Sequence, residues 1–285
     1  MPKKKIYFGA HASISKGIVG ALDTIKKSGG NIAQIFISSP QGRGTKNRSK
    51  EEIEKIVKFQ KDNDMKLVIH SPYVLNFAKP FSANNWWIKQ MITEMKLGAS
   101  MGSIGSVVHF GKHLKLTRKE GLINMKKSFE YIVDNTPDDA NIILETAAGQ
   151  GTELGYDLEE FAALYNSFAD KYKKNIKICI DTCHVFVAGY DLSSQKMVKA
   201  FFNKFNKLIG IKHVVLLHLN DSKPELGKRV DRHENIGKGK IGLTGLKEVI
   251  KYAKKKGIPM ILETPAVKKV NDIKSEIDII KKVTV

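Results

Sequence analysis

The chain is poor in cysteine, in long apolar runs and in hinge-like segments. Only two cysteines occur in 285 residues, Cys179 and Cys183. That count excludes a disulfide framework and fits a reducing compartment. A Cys-x-x-x-Cys spacing at the end of an apolar run suits neither a redox pair nor a zinc pair. Cys179 therefore reads as core packing, and so first does Cys183, with a place beside a neighbouring ligand as the lesser alternative. No stretch of about 18 uninterrupted apolar residues is present, which argues against a membrane-spanning helix. After Met1 and the lysines that follow, the apolar run Ile6–Phe8 is too short for a signal-peptide core, so no secretion is expected. No Pro/Gly-rich hinge divides the sequence, so residues 1–285 are expected to form a single domain. No Gly-x-Gly-x-x-Gly follows the first apolar run, which weighs against a dinucleotide-binding fold.

Acidic residues are also scarce: 29 against 48 basic ones, a net charge of +19. An excess of this sign favours a polyanionic partner, because clustered cations release the counterions condensed on nucleic acid. Much of it lies in lysine runs such as 254–256 and 281–282, which equally suit solvated helix faces. Charge supports a nucleic-acid reading without deciding it.

What the chain does have is an alternation. Eight short apolar runs occur: Ile6–Gly9, Ala33–Ile37, Lys66–Ile69, Ser103–Val108, Asn141–Leu144, Lys177–Ile180, Val214–Leu217 and Pro259–Leu262. Their Val/Ile/Leu content without polar alternation is that of strands buried on both faces. Between and after them lie amphipathic stretches at about 15–28, 49–63, 85–100, 118–134, 158–172, 194–209, 244–256 and 271–282. Start signals are present at Ser49, Thr117 and Asp157, each followed three residues later by glutamate. Gly29-Gly30, Gly98 and Gly257 are expected to stop helices. Eight β-α units in strict order predict an α/β fold, a (β/α)8 TIM barrel.

The residues that end these runs carry chemistry. In order they are His11, Ser38, His70, His109, Glu145, Asp181, His218 and Glu263. In such a barrel all C-terminal strand ends converge on one face, so the last six form a single pocket. Three carboxylates held that close repel unless cations intervene, and imidazoles interleaved among carboxylates suit Zn2+ or a similar divalent ion. A lone histidine would read as structural; six ligand types at six successive ends do not. His184 lies just past the sixth strand, and Asp231 and His233 lie in a polar loop after the seventh. Five histidines and four carboxylates exceed one tetrahedral zinc. Two or three ions are implied, and clustered metals point to phosphoester hydrolysis. His213 lies near a strand start and His113 in a loop, and both read as structural.

At these motifs the sequence resembles the endonuclease IV family of abasic-site endonucleases. The matching segments are Leu144-Glu-Thr-Ala-Ala-Gly-Gln-Gly151, Cys179 to Asp191, His218-Leu-Asn-Asp-Ser-Lys223, Asp231-Arg-His-Glu-Asn-Ile-Gly237 and Leu262-Glu-Thr264, in the family's order. The resemblance implies three zinc ions, with partial substitution by another divalent metal such as Mn2+. His70, His109 and Glu145 would hold the first. Glu145, Asp181, His218 and Glu263 would hold the second, and His184, Asp231 and His233 the third. It further implies a DNA-repair enzyme that cuts double-stranded DNA on the 5′ side of an abasic deoxyribose. The products are a 3′-hydroxyl and a 5′-deoxyribose phosphate, with Glu145 orienting the nucleophile. Blocked 3′ ends would be cleaned as well. His11, Tyr73, Asn76 and Gln150 are the expected DNA contacts, and the protein is expected to be an intracellular monomer. The loop Ser38–Thr45 departs from the family pattern, with Gln41, Gly42 and a displaced Arg43. Phe110-Gly111-Lys112 follows His109 where relatives often have proline. Two other readings are an isomerase or epimerase acting on sugars through metals on the same barrel, and an inactive DNA-lesion-binding protein.

Overall fold

Buried on both faces, the apolar runs pair with one another. In the computed structural model, which describes residues 5–39, 44–268 and 270–284, they form β1 (Phe8–His11), β2 (Ile32–Phe36), β3 (Lys66–His70), β4 (Ser106–Val108), β5 (Ile142–Glu145), β6 (Ile176–Asp181) and β7 (Val214–His218). After two short strands outside the barrel, β8 (Asp221–Ser222) and β9 (His233–Glu234), the series ends with β10 (Met260–Leu262). The closed barrel runs β1-β10-β7-β6-β5-β4-β3-β2, so each strand lies beside its neighbours in sequence. Closure is made by β10 on β1, pairing Phe8 with Met260, Gly9 with Ile261 and Ala10 with Leu262. On the other side of β1, Gly9 permits a tight approach to β2: a Cβ on it would collide with the Ile32 carbonyl. Gln41, Gly42 and Arg43 of the altered loop lie outside the described residues.

Side chains on a strand alternate, and this sets the site. Ile32, Val68, Val107, Ile143, Cys179, Leu216 and Ile261 form one fully buried cluster inside the barrel. The Cys179 thiol belongs to it, as core packing requires. Two residues further along each strand, on the same side, come Gln34, His70, His109, Glu145, Asp181, His218 and Glu263, with His11 two beyond Gly9. An aliphatic floor thus carries a polar layer at the C-terminal end of the barrel.

The helices keep most of their expected bounds. Ser49 and Asp157 accept from the backbone N–H of Glu52 and Glu160, and Thr117 with Glu120 closes a full capping box. Gly257 ends its helix in the left-handed region, at φ 68°. Gly98 does not stop a helix: Trp86–Ser100 runs through it. There the missing Cβ lets the helix lie close to Ser103 and Ile69. The stretch expected as one helix at 158–172 divides into Leu158–Ser167 and Asp170–Lys173. Phe168 breaks it by adopting an extended backbone that sinks its ring into the core. A further helix at Thr182–Val187, which no periodicity marks, starts directly on Asp181 and is buried throughout. Among the described residues no helix is long and apolar enough to cross a membrane.

Candidate metal centre

The polar layer, the short helix Thr182–Val187 and the β8–β9 hairpin bring all nine expected ligands together. Ligand atoms fall into overlapping groups within 4.8 Å: His70/His109/Glu145, Glu145/Asp181/His218/Glu263 and His184/Asp231/His233. These are the three sets implied by the resemblance. A fourth grouping, Asp181/Cys183/His233, puts the Cys183 thiol beside two of them. Glu145 joins the first two groups. Its Oε2 lies 3.5 Å from His109 Nδ1 and 3.6 Å from His70 Nε2, while its Oε1 lies 2.7 Å from His218 Nδ1. Asp231 spans the third, 3.2 Å from both His184 Nε2 and His233 Nε2.

Whether these residues suit metal ions can be judged from their unused atoms. Buried polar atoms normally find partners. Here His109 Nε2, Glu145 Oε2, His184 Nε2 and His233 Nε2 are buried with no hydrogen-bond partner. Meanwhile the opposite ring nitrogens are anchored: His70 Nδ1 to the Ser71 carbonyl at 2.8 Å, His184 Nδ1 to the Thr146 carbonyl at 2.8 Å, and His233 Nδ1 to the Glu263 carbonyl at 3.2 Å. An imidazole that donates one N–H to a carbonyl turns its other nitrogen, as a lone pair, to the metal. The donor set fits divalent cations.

Local sequence explains how four of these side chains are aimed. Asp181 ends β6 and caps the next helix, accepting from the His184 backbone N–H at 2.9 Å, so one turn presents both side chains. Asp231 and His233 reach the barrel because β8 and β9 pair, setting Ser222 opposite His233. That hairpin is secured by Asp221, a fully buried carboxylate. Its two oxygens accept from the backbone N–H groups of Ser222, Gly237, Gly239, Ile241 and Gly242 at 2.8–3.3 Å.

The mouth of the site is aromatic and basic. Tyr73 is 58% exposed, and its ring lies 5.5 Å from that of His70 and 5.4 Å from that of His109. Beside it a cavity of about 370 Å3 is lined by Lys79, Lys112, Gln150 and Asp231, among others. Asn76 borders the same cavity, but its amide is engaged internally. It accepts from the backbone N–H of Ala78 and Lys112 and donates to the Lys112 carbonyl, tying the loops after β3 and β4 together. Gln150 sits on a turn held by Glu153, which accepts from the Gly149 and Gln150 N–H groups. Gly149 and Gly151 both need positive φ there. His113 Nδ1 lies 2.6 Å from the Leu116 carbonyl, and the His213 ring packs 5.1 Å from that of Tyr165. Both lie apart from the ligand groups.

A model of the family described as xylose isomerase-like TIM barrels matches residues 22–283. A protein of Acanthamoeba polyphaga mimivirus named putative endonuclease 4 is 36% identical over 264 residues, covering 90% of this chain and 85% of its own. The chain belongs to the endonuclease IV family. A crystal structure of endonuclease IV from Thermus thermophilus superposes with a TM-score of 0.82 at 27% identity, over 97% of this chain and 98% of the other. A D-tagatose 3-epimerase-like protein superposes at 0.73 with 20% identity, over 98% and 97%, and shares the fold.

In this endonuclease IV chain three more supporting residues, besides Asp221, escape a reading of the sequence. Ser38 closes the second apolar run, yet β2 stops at Phe36, and Gln34 is the residue that enters the polar layer. Counting two beyond Ile32 would find it. Asn220 donates to Asp181 Oδ2 at 2.6 Å and accepts from the Glu263 N–H at 2.8 Å, linking two ligands of one group. Thr146 accepts from the Asp181 N–H at 3.0 Å. No spacing rule marks the last two.

Electrostatically the histidines and carboxylates of the site offset one another. Burial disfavours ionisation of Glu263, but His218 and His70 outweigh it and bring the carboxyl to about 2. Glu145 is likewise held well below its ordinary value, with His109 and His218 overcoming burial. Burial also opposes charge on His233, yet Asp181 and Asp231 raise it from 6.5 to about 9. His184 is raised in the same way, whereas burial lowers His109. A raised folded-state pKa adds stability that is complete below pH 6.5 and lost as pH climbs through about 9. The unfolding midpoint of the metal-free protein is therefore expected to fall between those values. Divalent metal, which takes the imidazoles neutral, should flatten the decline. Thermal melts at stepped pH with and without zinc check this, and a level metal-free profile would contradict it.

Proposed function

We propose that this chain hydrolyses the phosphodiester on the 5′ side of an abasic deoxyribose in double-stranded DNA, a step of base excision repair. The products are a 3′-hydroxyl and a 5′-deoxyribose phosphate, and blocked 3′ ends are a second substrate. The observation that carries the reading is the continuity of the three ligand groups, joined through Glu145 on one side and through Asp181, 3.6 Å from His233, on the other. Such a chain suits one extended phosphodiester better than the proton shuttling of a sugar isomerase.

The three groups would hold one zinc ion each, a choice favoured by imidazole and carboxylate donors; Mn2+ is the natural partial substitute. When bound, the ions supply Lewis acidity to both the attacking and the leaving oxygen of an in-line displacement. Glu145, ionised as the carboxylate shared by the first two ligand groups, orients the attacking water and takes its proton. Lys79 and Lys112 neutralise flanking phosphates at the mouth. The exposed Tyr73 ring supplies a stacking surface for a duplex that lacks one base. Gln150, in the cavity beside Tyr73, and His11, in a neighbouring one, are further contacts with the DNA. The protein acts as a monomer wherever cellular DNA lies.

Incision of a duplex with one abasic site, run with and without a chelator and followed by metal analysis, tests this. Expected are cleavage on the 5′ side, its loss on chelation, recovery with zinc, and a zinc content near one per ligand group. Cleavage indifferent to the chelator would refute the metal role. Intact DNA with turnover of a ketose would favour the isomerase.

A further inference from the structure

Gln34 sits in the ligand layer on β2 with no solvent exposure, yet it is no metal ligand. Its amide touches three groups: Nε2 lies 2.6 Å from Glu263 Oε1 and 3.2 Å from His11 Nδ1, and Oε1 lies 2.8 Å from His218 Nε2. We infer that Gln34 is a positioning residue that fixes the tautomers of two histidines at once, aiming His218 at the metal and presenting His11 to DNA as a neutral N–H donor. The second half rests on the abasic-DNA reading above; the first does not.

The chemistry leaves one arrangement. A carboxylate oxygen only accepts, so the Gln34 NH2 must face Glu263. Its carbonyl then faces His218 Nε2, which must carry a hydrogen to make a contact of that length. The nitrogen of His218 left for a cation is Nδ1, and it is the one turned to Glu145, Glu263 and Asp181 at 2.7, 3.2 and 3.8 Å. The remaining Gln34 N–H points at His11 Nδ1, which accepts it only as a lone pair. The His11 hydrogen therefore resides on Nε2. The ring makes no other hydrogen bond among the described residues, and it lines a cavity of about 630 Å3 with Phe36 packed 4.5 Å away. An N–H facing that space suits a phosphate or deoxyribose oxygen of the strand. One buried amide thus couples a ligand's orientation to a substrate contact.

Long-range 15N–1H correlation spectra of the zinc-loaded protein read the tautomers directly, without any variant. Expected are Nε2–H forms of both His11 and His218. An Nδ1–H signal from His11, or a metal-facing Nε2 on His218, overturns the proposal. Gln34→Met keeps the volume and removes the hydrogen bonds. It should release one zinc at a chelator concentration roughly 10–100-fold lower than wild type does, while retaining the other two ions and a cooperative unfolding transition. It should also weaken abasic duplex binding by about the same factor as His11→Ala, with no further loss in the double variant. Wild-type zinc retention together with additive binding losses would sink the coupling. Failure of the wild-type protein to cut abasic DNA would instead sink the substrate reading, leaving the tautomer and zinc results to stand on their own.

Discussion

Glu145→Gln is expected to lower incision of an abasic duplex by about a thousandfold or more, on the order of 4 kcal/mol in the barrier. Duplex binding should stay within a few-fold of wild type. Glutamine keeps the shape of Glu145 but replaces one oxygen by an NH2 group and removes the charge. Each oxygen has a separate task, since Oε1 faces His218 and Oε2 faces His70 and His109. Whichever way the amide turns, one ligand group receives a donor where it needs a lone pair, and nothing remains to take the proton from water. The Tyr73, Lys79 and Lys112 surface is untouched, so affinity should survive. Single-turnover cleavage paired with a binding titration separates the two quantities. If the glutamine variant cut at near wild-type rate, the role given to Glu145 would be wrong.

Asp221→Ala should be the second most damaging change, although Asp221 belongs to none of the ligand groups. Removing the carboxylate strips five backbone N–H groups of their acceptor at once. An unsatisfied buried donor costs about 1–3 kcal/mol, and partial opening of the loop to water recovers some of that. A loss of roughly 3 kcal/mol or more in denaturant unfolding is expected. The more telling result concerns metal. Ser222 pairs with His233 across the hairpin, so loosening it displaces His233 and Asp231 together. Zinc content should fall by one ion per chain, and Asp221→Asn should keep part of both properties because one oxygen still accepts. A full zinc complement in the alanine variant would show that the hairpin holds its shape without this carboxylate.

How much of this can be read in advance differs by element. The barrel is legible because each buried strand is a short apolar run and each helix a longer amphipathic one. Glu145, Asp181 and His218 can be placed because each closes such a run. His184, Asp231 and His233 can be collected by their nearness to strand ends, but grouping them as one set needs motif resemblance, since a short helix and a loop leave no periodic mark. Ser38 is misplaced by the pattern because Ile37 prolongs the apolar run past the end of β2, which hides Gln34 inside the strand. Asn220 and Asp221 are invisible as supports: their partners are backbone and side-chain groups brought near only by the fold. Asn76 can be found but not assigned, because only the structure shows its amide spent on Lys112 and Ala78.

The two-residue step from aliphatic floor to polar layer also governs which length changes the chain can absorb. A residue inserted before Glu145 within β5 would swing the carboxylate to the helix side, since one step along a strand reverses every side chain. An insertion after β2, in a loop that carries no ligand, leaves all of them in place, whereas one in the segments after β6 or β7 would shift His184, or Asp231 and His233. Loops such as Ser38–Thr45 are therefore free to change in length and composition, and with them the grip on DNA. The strands that carry the ligands keep a fixed count.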